Sequence, residues 1–342
     1  MLRIALDAMG SDRAPEPEVE GAARAVQELD VEIVLVGPEP LLRERVRRYG
    51  ADARLEIVNA TEVIAPEEPV AQAVRKKRDS TIHVGLRLVH EGYAQAFVSA
   101  GNTGAIMAAA KMILRTLNSI DRPALAAVLP TLSGRRTVLI DVGANAECRP
   151  LHLVQFAIMG DLYARLILGV ASPRIGLVSI GEEEAKGNEL TREAYKHLER
   201  SGLQFVGNVE GQNIYMGDVD VIVCDGFTGN VILKTSEGVF DLLRVGLRQE
   251  LRHTIRARLG AWLARPAFER FRRRFDYFES GGAPLLGVRR VCLICHGRSD
   301  SRAIKNAIRI AKELAERRAP EQIEREIARV QEADRERIEA ES

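Results

Sequence analysis

Long apolar runs are missing from this 342-residue sequence, and no stretch approaches the roughly 18 consecutive apolar residues that a membrane span requires. The N-terminal MLRIALDAMG has too short an apolar stretch, and too early an acid, for a signal peptide. Charge of one sign is missing as well: 49 Lys and Arg against 48 Asp and Glu leave a formal net charge of +1. That balance argues against wholesale nucleic-acid binding and makes any basic character local. Cysteine is scarce. Cys148, Cys224, Cys292 and Cys295 are too few for a disulfide framework in a chain of this size, so they read as reduced thiols, and a cytoplasmic location is expected.

Nucleotide and metal signatures are also lacking. There is no P-loop pattern (GxxxxGK followed by Ser or Thr), and the GNTG at 101–104 lacks the third glycine of a dinucleotide fingerprint. The carboxylates Asp7, Asp12, Asp141 and Asp225 lie on separate turns, and no histidine pair has ligand spacing, so neither a metal nor a cofactor is expected. Cys292-Leu-Ile-Cys295-His296 matches the spacing of a haem attachment site or a redox pair. It sits in an apolar segment that reads as a buried strand, where residues three apart point to opposite faces, so a structural role is expected.

What is present is centred on Asp220–Lys234, DVIVCDGFTGNVILK. An apolar strand ends in Cys224-Asp225, turns through Gly226-Phe227-Thr228-Gly229-Asn230, and enters a helix expected to begin near Val231. Two glycines in such a turn, followed by a helix N-terminus, make an anion site. Asp225, Thr228, Gly229, Asn230 and Lys234 are its candidate groups; the competing reading is a well-capped turn with nothing bound.

The chain around it alternates strands and helices from residue 2 to residue 114, which implies an α/β fold with a mainly parallel sheet covered on both faces. Further strands are expected at Thr137–Ile140, Ile175–Ile180 and Arg290–His296. Five strand ends carry small or polar residues and are expected to line one cleft. Besides DGFTGN they are the opening turn with Asp7 and Asp12, the SAGNTG turn with Asn102, Thr103 and Gly104, the DVGAN turn with Asn145, and the GEEEAKGN turn with Lys186 and Asn188. His296 and Ser299 follow the CxxC strand. No internal repeat or long linker divides the chain.

Residues 250–279 differ in character. Leu251, Ile255, Leu259, Leu263 and Trp262 are expected on one helical face, and Phe268, Phe271, Phe275 and Phe278 follow at spacings of three, four and three. Between Leu251 and Phe278 stand eight arginines against Glu269 and Asp276. The spacing predicts a basic amphipathic hairpin. Trp262, Leu263, Phe268, Phe271 and Phe275 are its candidate contacts with a membrane surface or an acidic carrier protein; packing on the core or on a second subunit is the alternative. Pro320 opens a charged last helix with a thin apolar line of Ile323, Ile327, Val330 and Ile338, expected to be solvated or partner-facing. The division is therefore 1–318, an α/β domain that includes the hairpin, and 319–342, the charged helix.

DAMGSDRAP (7–15), SAGNTGA (99–105), DVGAN (141–145), IGEEEAKGN (180–188), GNVEG (207–211), DGFTGNVILK (225–234), GGAPLLG (281–287) and HGRSD (296–300) resemble, in order, the bacterial phosphate acyltransferases of phospholipid synthesis. Ser11 and Arg298 depart from the family pattern, which commonly has glycine and serine there. The resemblance implies a phosphotransacetylase-like or isopropylmalate-dehydrogenase-like fold and a homodimer with sites at the subunit interface. It also implies transfer of a fatty acyl group from acyl carrier protein to inorganic phosphate. The acyl phosphate would pass to a glycerol-phosphate acyltransferase, with the enzyme held peripherally on the inner face of the membrane. Lys186 and Asn230 match family positions and are the expected catalytic pair, stabilising phosphate or the oxyanion. A metal- and nicotinamide-dependent dehydrogenase of the isopropylmalate type and a membrane-bound non-enzymatic adaptor are the competing functions.

Overall fold

Local chemistry sets most element boundaries. The computed structural model describes the backbone of residues 1–50, 54–65, 67–275 and 281–341, and the side chains of these except 272–275 and 333–341. Phe278, the end of the hairpin, the Phe275 and Ile338 side chains and residue 342 therefore lie outside the described residues. The first third alternates as expected: β1 (Leu2–Asp7), α1 (Glu16–Glu28), β2 (Val31–Gly37), α2 (Glu39–Tyr49), β3 (Leu55–Asn59), α3 (Val70–Lys76), α4 (Thr81–His90), β4 (Ala96–Ser99) and α5 (Thr103–Ile113). Prolines at the first helical positions open α1 and α2, and Ser80 and Asn102 cap α4 and α5 by accepting the His83 and Ala105 amides.

The remainder runs β5 (Ala124–Pro130), β6 (Arg136–Ile140), α6 (Pro150–Tyr163) extended by a π turn at Ala164–Leu168, β7 (Ile175–Val178), α7 (Glu189–Arg200), β8 (Phe205–Val209), β9 (Val221–Val223) and α8 (Gly226–His253). It continues with α9 (Ile255–Leu263), α10 (Arg265–Phe275), β10 (Ala283–Leu286), β11 (Val291–Ile294), α11 (Ser301–Glu316) and α12 (Ala319–Glu341). The strands form one sheet in the order β3-β2-β1-β4-β11-β10-β5-β6-β9-β7-β8. Its pairs are parallel except where β10 meets β11 and β5, and where β5 meets β6. Those three reversals place two parallel halves of opposite sense side by side. The strand ends at β1, β4 and β11 consequently point one way along the sheet and those at β6, β9 and β7 the other.

Both faces of the sheet are buried. Alternate residues divide between them: Ile4, Leu6, Val98, Leu293 and Val221 face α1, α6, α11 and α12, while Ala5, Phe97, Cys292 and Ile222 face α4, α5 and part of α8. Cys292 and Cys295 fall on opposite faces, and burial pushes both thiols up to about 12. The two sulfurs do not form one site. The segment Pro150–Leu168 is apolar enough and long enough to cross a membrane, yet 67% of it is buried as a core helix.

Several expectations give way. Helix α8 starts at Gly226 rather than Val231, because the Asp225 carboxylate caps it by accepting the Thr228 amide at 2.9 Å. The residues 281–287, expected as a turn, contain β10. Thr254 breaks the apolar face expected to run from Leu251 to Leu263: it is extended and caps α9, so Leu251 belongs to α8 and the rest to α9. Packing of α9 on the core is also excluded within this chain, since none of its residues is buried. In α12, Ile323 and Ile327 are buried in the core facing α6, so the first turns of that helix are not solvated.

Candidate functional site

A cavity of about 170 Å³ lies over β5, at the seam between the two half-sheets. Leu125, Ala127 and Leu129 supply its apolar part together with Leu233 of α8, while Asn230, Lys234 and Glu237 reach it from the same helix. Thr103 contributes from the start of α5, Val142 and Gly143 from the turn after β6, and His296 and Ser299 from the turn after β11.

Helix α8 is held against the DVGAN turn by close backbone contact. A Cβ on Gly226 would stand 2.7 Å from the backbone N and O of Asn145, and one on Gly229 would run into the Asp141 carbonyl oxygen. Neither glycine is left-handed; each is there because a side chain does not fit. The turn itself is folded around the Asp141 carboxylate, which is fully buried. Its Oδ1 accepts the amides of Leu125, Gly143 and Ala144 at 3.0, 3.2 and 2.9 Å, and its Oδ2 accepts the amide and side-chain Nδ2 of Asn145 at 2.7 and 2.9 Å. Burial pushes Asp141 up and these donors pull against it. Asn145 is thereby a structural residue, its Nδ2 also donating to the Pro123 carbonyl.

The expected anion site at the start of α8 is occupied by the protein's own groups. The Gly226 amide donates to the Asn145 carbonyl, the Thr228 amide and hydroxyl to Asp225, and the Gly229 amide to the Asp225 carbonyl. Asp225, Thr228 and Gly229 build the helix start and do not line the cavity. The open helix N-terminus at the cavity is that of α5. There Asn102 takes the Ala105 amide at 3.0 Å, and the Thr103 and Gly104 amides have no acceptor among the described residues.

The five turns do not all line one cleft: Thr103 of the SAGNTG turn, Gly143 of the DVGAN turn and Asn230 of the DGFTGN turn reach the cavity, whereas the opening turn and the GEEEAKGN turn contribute nothing to it. Asp7 is buried below the opening turn, accepting the Ser99 hydroxyl at 2.7 Å, with burial pushing its pKa up. Asp12 is exposed; its amide donates to Gly297, which holds the opening turn against the HGRSD turn. Ser11, the first departure from the family pattern, is buried and donates its amide to Glu18. Arg298, the second, points its guanidinium to within 3.7 Å of Asp241 on α8. Lys186 is exposed on the loop after β7, and Asn188 caps α7 by accepting the Thr191 amide at 2.9 Å. Neither lines the cavity.

The polar groups that the structure does bring together are Asn230, Lys234, Glu237, His296, Ser299 and Thr103. Asn230 Nδ2 donates to the Val142 carbonyl at 3.3 Å. Lys234 Nζ lies 3.0 Å from Glu237 Oε2, and the same oxygen is 4.0 Å from His296 Nε2. His296 Nδ1 accepts the Arg298 amide at 3.0 Å. Burial, Lys234 and Arg298 lower the His296 pKa, so the ring is neutral at pH 7 and bears its proton on Nε2. Glu237 escaped the sequence reading. Its signal is helical spacing, seven residues after Asn230 and three after Lys234, which a helix beginning near Val231 already carries.

Residues 2–322 match the family model described as "Fatty acid synthesis protein". The chain is 55% identical over 329 residues to the phosphate acyltransferase of Acidobacterium capsulatum, covering 95% of this chain and 97% of that one. It is 54% identical over 316 residues to the phosphate acyltransferase of Heliobacterium modesticaldum, covering 91% and 93%. This chain belongs to the phosphate acyltransferase family. It is an acyltransferase enzyme that moves an acyl group to phosphate, which sets aside the dehydrogenase and adaptor readings. The family fold is that of the phosphotransacetylases: the enzyme from Streptococcus pyogenes superimposes with a TM-score of 0.61 at 18% identity, over 92% of this chain and 94% of that one. A branched-chain phosphotransacylase from Enterococcus faecalis gives 0.58 at 14% identity, over 92% and 99%. Among the described residues of this acyltransferase, no three His, Cys, Asp or Glu side chains converge as metal ligands.

Proposed function

We propose that this acyltransferase takes a fatty acyl thioester from acyl carrier protein and transfers it to inorganic phosphate, and that the acyl phosphate feeds phospholipid synthesis through an acyltransferase acting on glycerol phosphate. The observation that carries the reading is the division of the cavity. Its apolar part over β5 suits an acyl chain; Asn230, Lys234, Nε2–H of His296 and the open start of α5 suit a phosphate dianion and the oxyanion of the tetrahedral intermediate. Phosphate is a competent nucleophile, so direct transfer is the mechanism proposed.

Lys186 and Asn230 are the proposed catalytic pair. Lys186 joins the cavity through movement of the β7–α7 loop or from a second copy of the chain. A homodimer is supported by the apolar side chains that α8 leaves exposed, among them Leu242 and Leu243 at 71% and 65%. Thiol release from long-chain acyl carrier protein tests the reading. It is expected to require phosphate and to fall on the order of a hundred- to thousandfold in Lys186→Ala and in Asn230→Ala. Wild-type release without phosphate, or none with it, would overturn the reading.

A peripheral position on the inner face of the membrane belongs to the same proposal. Trp262, Leu263 and Phe271 are 68%, 66% and 57% exposed on helices rich in arginine, an arrangement suited to anionic headgroups. Phe268 is half-buried. Replacing Trp262, Leu263 and Phe271 with serine is expected to abolish sedimentation with anionic liposomes while leaving activity on soluble substrate intact. Undiminished sedimentation would remove the membrane from the proposal.

A further inference from the structure

Glu237 is the one carboxylate among the described residues lining the cavity. Its side chain is 14% exposed, and Oε2 stands between Lys234 Nζ at 3.0 Å and His296 Nε2 at 4.0 Å. A negative charge inside an anion site opposes phosphate binding, so its presence there calls for a chemical use.

The proton balance of the reaction, resting on the thioester donor proposed above, provides one. Phosphate enters as a dianion that still carries one P–O–H proton. An ionised oxygen attacks the thioester carbonyl carbon; the new C–O bond forms, and the C–S bond breaks with its electron pair going to sulfur. The acyl phosphate leaves as a dianion without that proton, because the electron-withdrawing acyl group makes it more acidic than in phosphate. The departing alkyl thiolate, conjugate base of a thiol of pKa about 8.5, takes one up. Each turnover therefore moves a proton from a phosphate oxygen to sulfur, with no redox partner and no net exchange with solvent.

Other lining groups fit this task poorly. Burial pushes the Cys295 thiol up to about 12. His296 has Nδ1 engaged by the Arg298 amide, so surrendering its Nε2 proton would leave an imidazolate; it is a fixed donor. Lys234 would lose, with its proton, the positive charge that attracts phosphate. We infer that Glu237 receives the P–O–H proton and passes it to the leaving sulfur, with Lys234 holding its carboxylate in place.

The experiment compares two donors, an acyl alkyl thioester of pantetheine and an acyl thiophenol ester whose arylthiolate departs without needing a proton. Glu237→Gln in the full-length protein is expected to lose on the order of a hundred- to ten-thousandfold in kcat on the alkyl thioester and far less on the aryl one. Glu237→Asp, which retains a proton carrier, is expected to keep more activity on the alkyl thioester than Glu237→Gln. The ratio of the two donor rates is independent of the fraction of enzyme folded, so a poorly folding variant still reports. Equal losses on both donors, or no loss on the alkyl thioester, would overturn the assignment while leaving the acyltransferase reaction standing. Failure of the wild type to release thiol with phosphate would instead sink the donor reading and this relay together.

Discussion

Asp141→Ala is expected to cost on the order of 4 kcal/mol or more of folding stability, the largest loss from any one polar side chain described above. The substitution takes the acceptor from four backbone amides, those of Leu125 and Asn145 buried and those of Gly143 and Ala144 part-buried, and one of two acceptors from the Asn145 side-chain amide. Each buried donor left without a partner costs about 1–3 kcal/mol, and water entering the gap recovers part of the sum. Against a total stability of about 5–15 kcal/mol, such a loss leaves a large fraction unfolded near physiological temperature. Asp141→Asn keeps one acceptor oxygen and turns an NH₂ toward the remaining donors, so an intermediate loss is expected. Urea unfolding of wild type and both variants, compared at a common slope, is the measurement. A midpoint unchanged in Asp141→Ala would mean that the turn holds its amides by some other acceptor.

Gly229→Ala is expected to remove activity by at least about a hundredfold. The new methyl group would run into the Asp141 carbonyl, which belongs to the turn just described and has little room to yield. Relief requires the first turns of α8 to lift from the sheet, and Asn230, Lys234 and Glu237 move with them. A displacement of about 1 Å in positioned groups commonly costs a hundredfold in rate. Gly238→Ala in the same helix is the control: nothing lies within 4 Å of its added Cβ, so it is expected to gain about 0.5–1 kcal/mol from helix propensity. Turnover and thermal midpoint measured on the pair separate the two glycines. Full activity in Gly229→Ala would show that α8 is not seated by that contact.

Much of the architecture was legible because propensity, capping and periodicity agree in the first third of the chain. Where they fail, a physical reason is visible. Helix α6 is apolar on nearly every side, since Leu153, Phe156, Ala157 and Met159 are all buried, and a helix buried all round leaves no period to read. Strand β10 looks like a turn because it carries Pro284 after two glycines. It pairs with β11 through Ala283 and Pro284 and with β5 through Leu285 and Leu286, so the proline needs no second ladder partner. The antiparallel reversal at β5 and β6 has no local signature, and neither does the placing of β7 beyond β9, one strand further from the cavity than the strands whose turns line it, which leaves Lys186 and Asn188 outside. Asn230, His296, Ser299 and Thr103 were readable as members of strand-end turns, and Lys234 as a residue one helical turn beyond such a turn. Glu237 lies about two helical turns beyond the strand-end motif, so the turn residues do not point to it.

Helix α8 is a single rod of 28 residues, about 42 Å long at 1.5 Å per residue. It is clamped at one end, where Gly226 and Gly229 meet the sheet, and bears apolar side chains in open solvent toward the other. Mechanically it is a lever whose fulcrum sits beside the site. Glu237 lies about 12 Å from Gly229 along the rod and His253 about 36 Å, so a tilt that carries the far end through 3 Å moves Glu237 through about 1 Å. Whatever grips the far end, a lipid surface or a second copy of the chain, thus has its displacement geared down threefold on the way to the carboxylate.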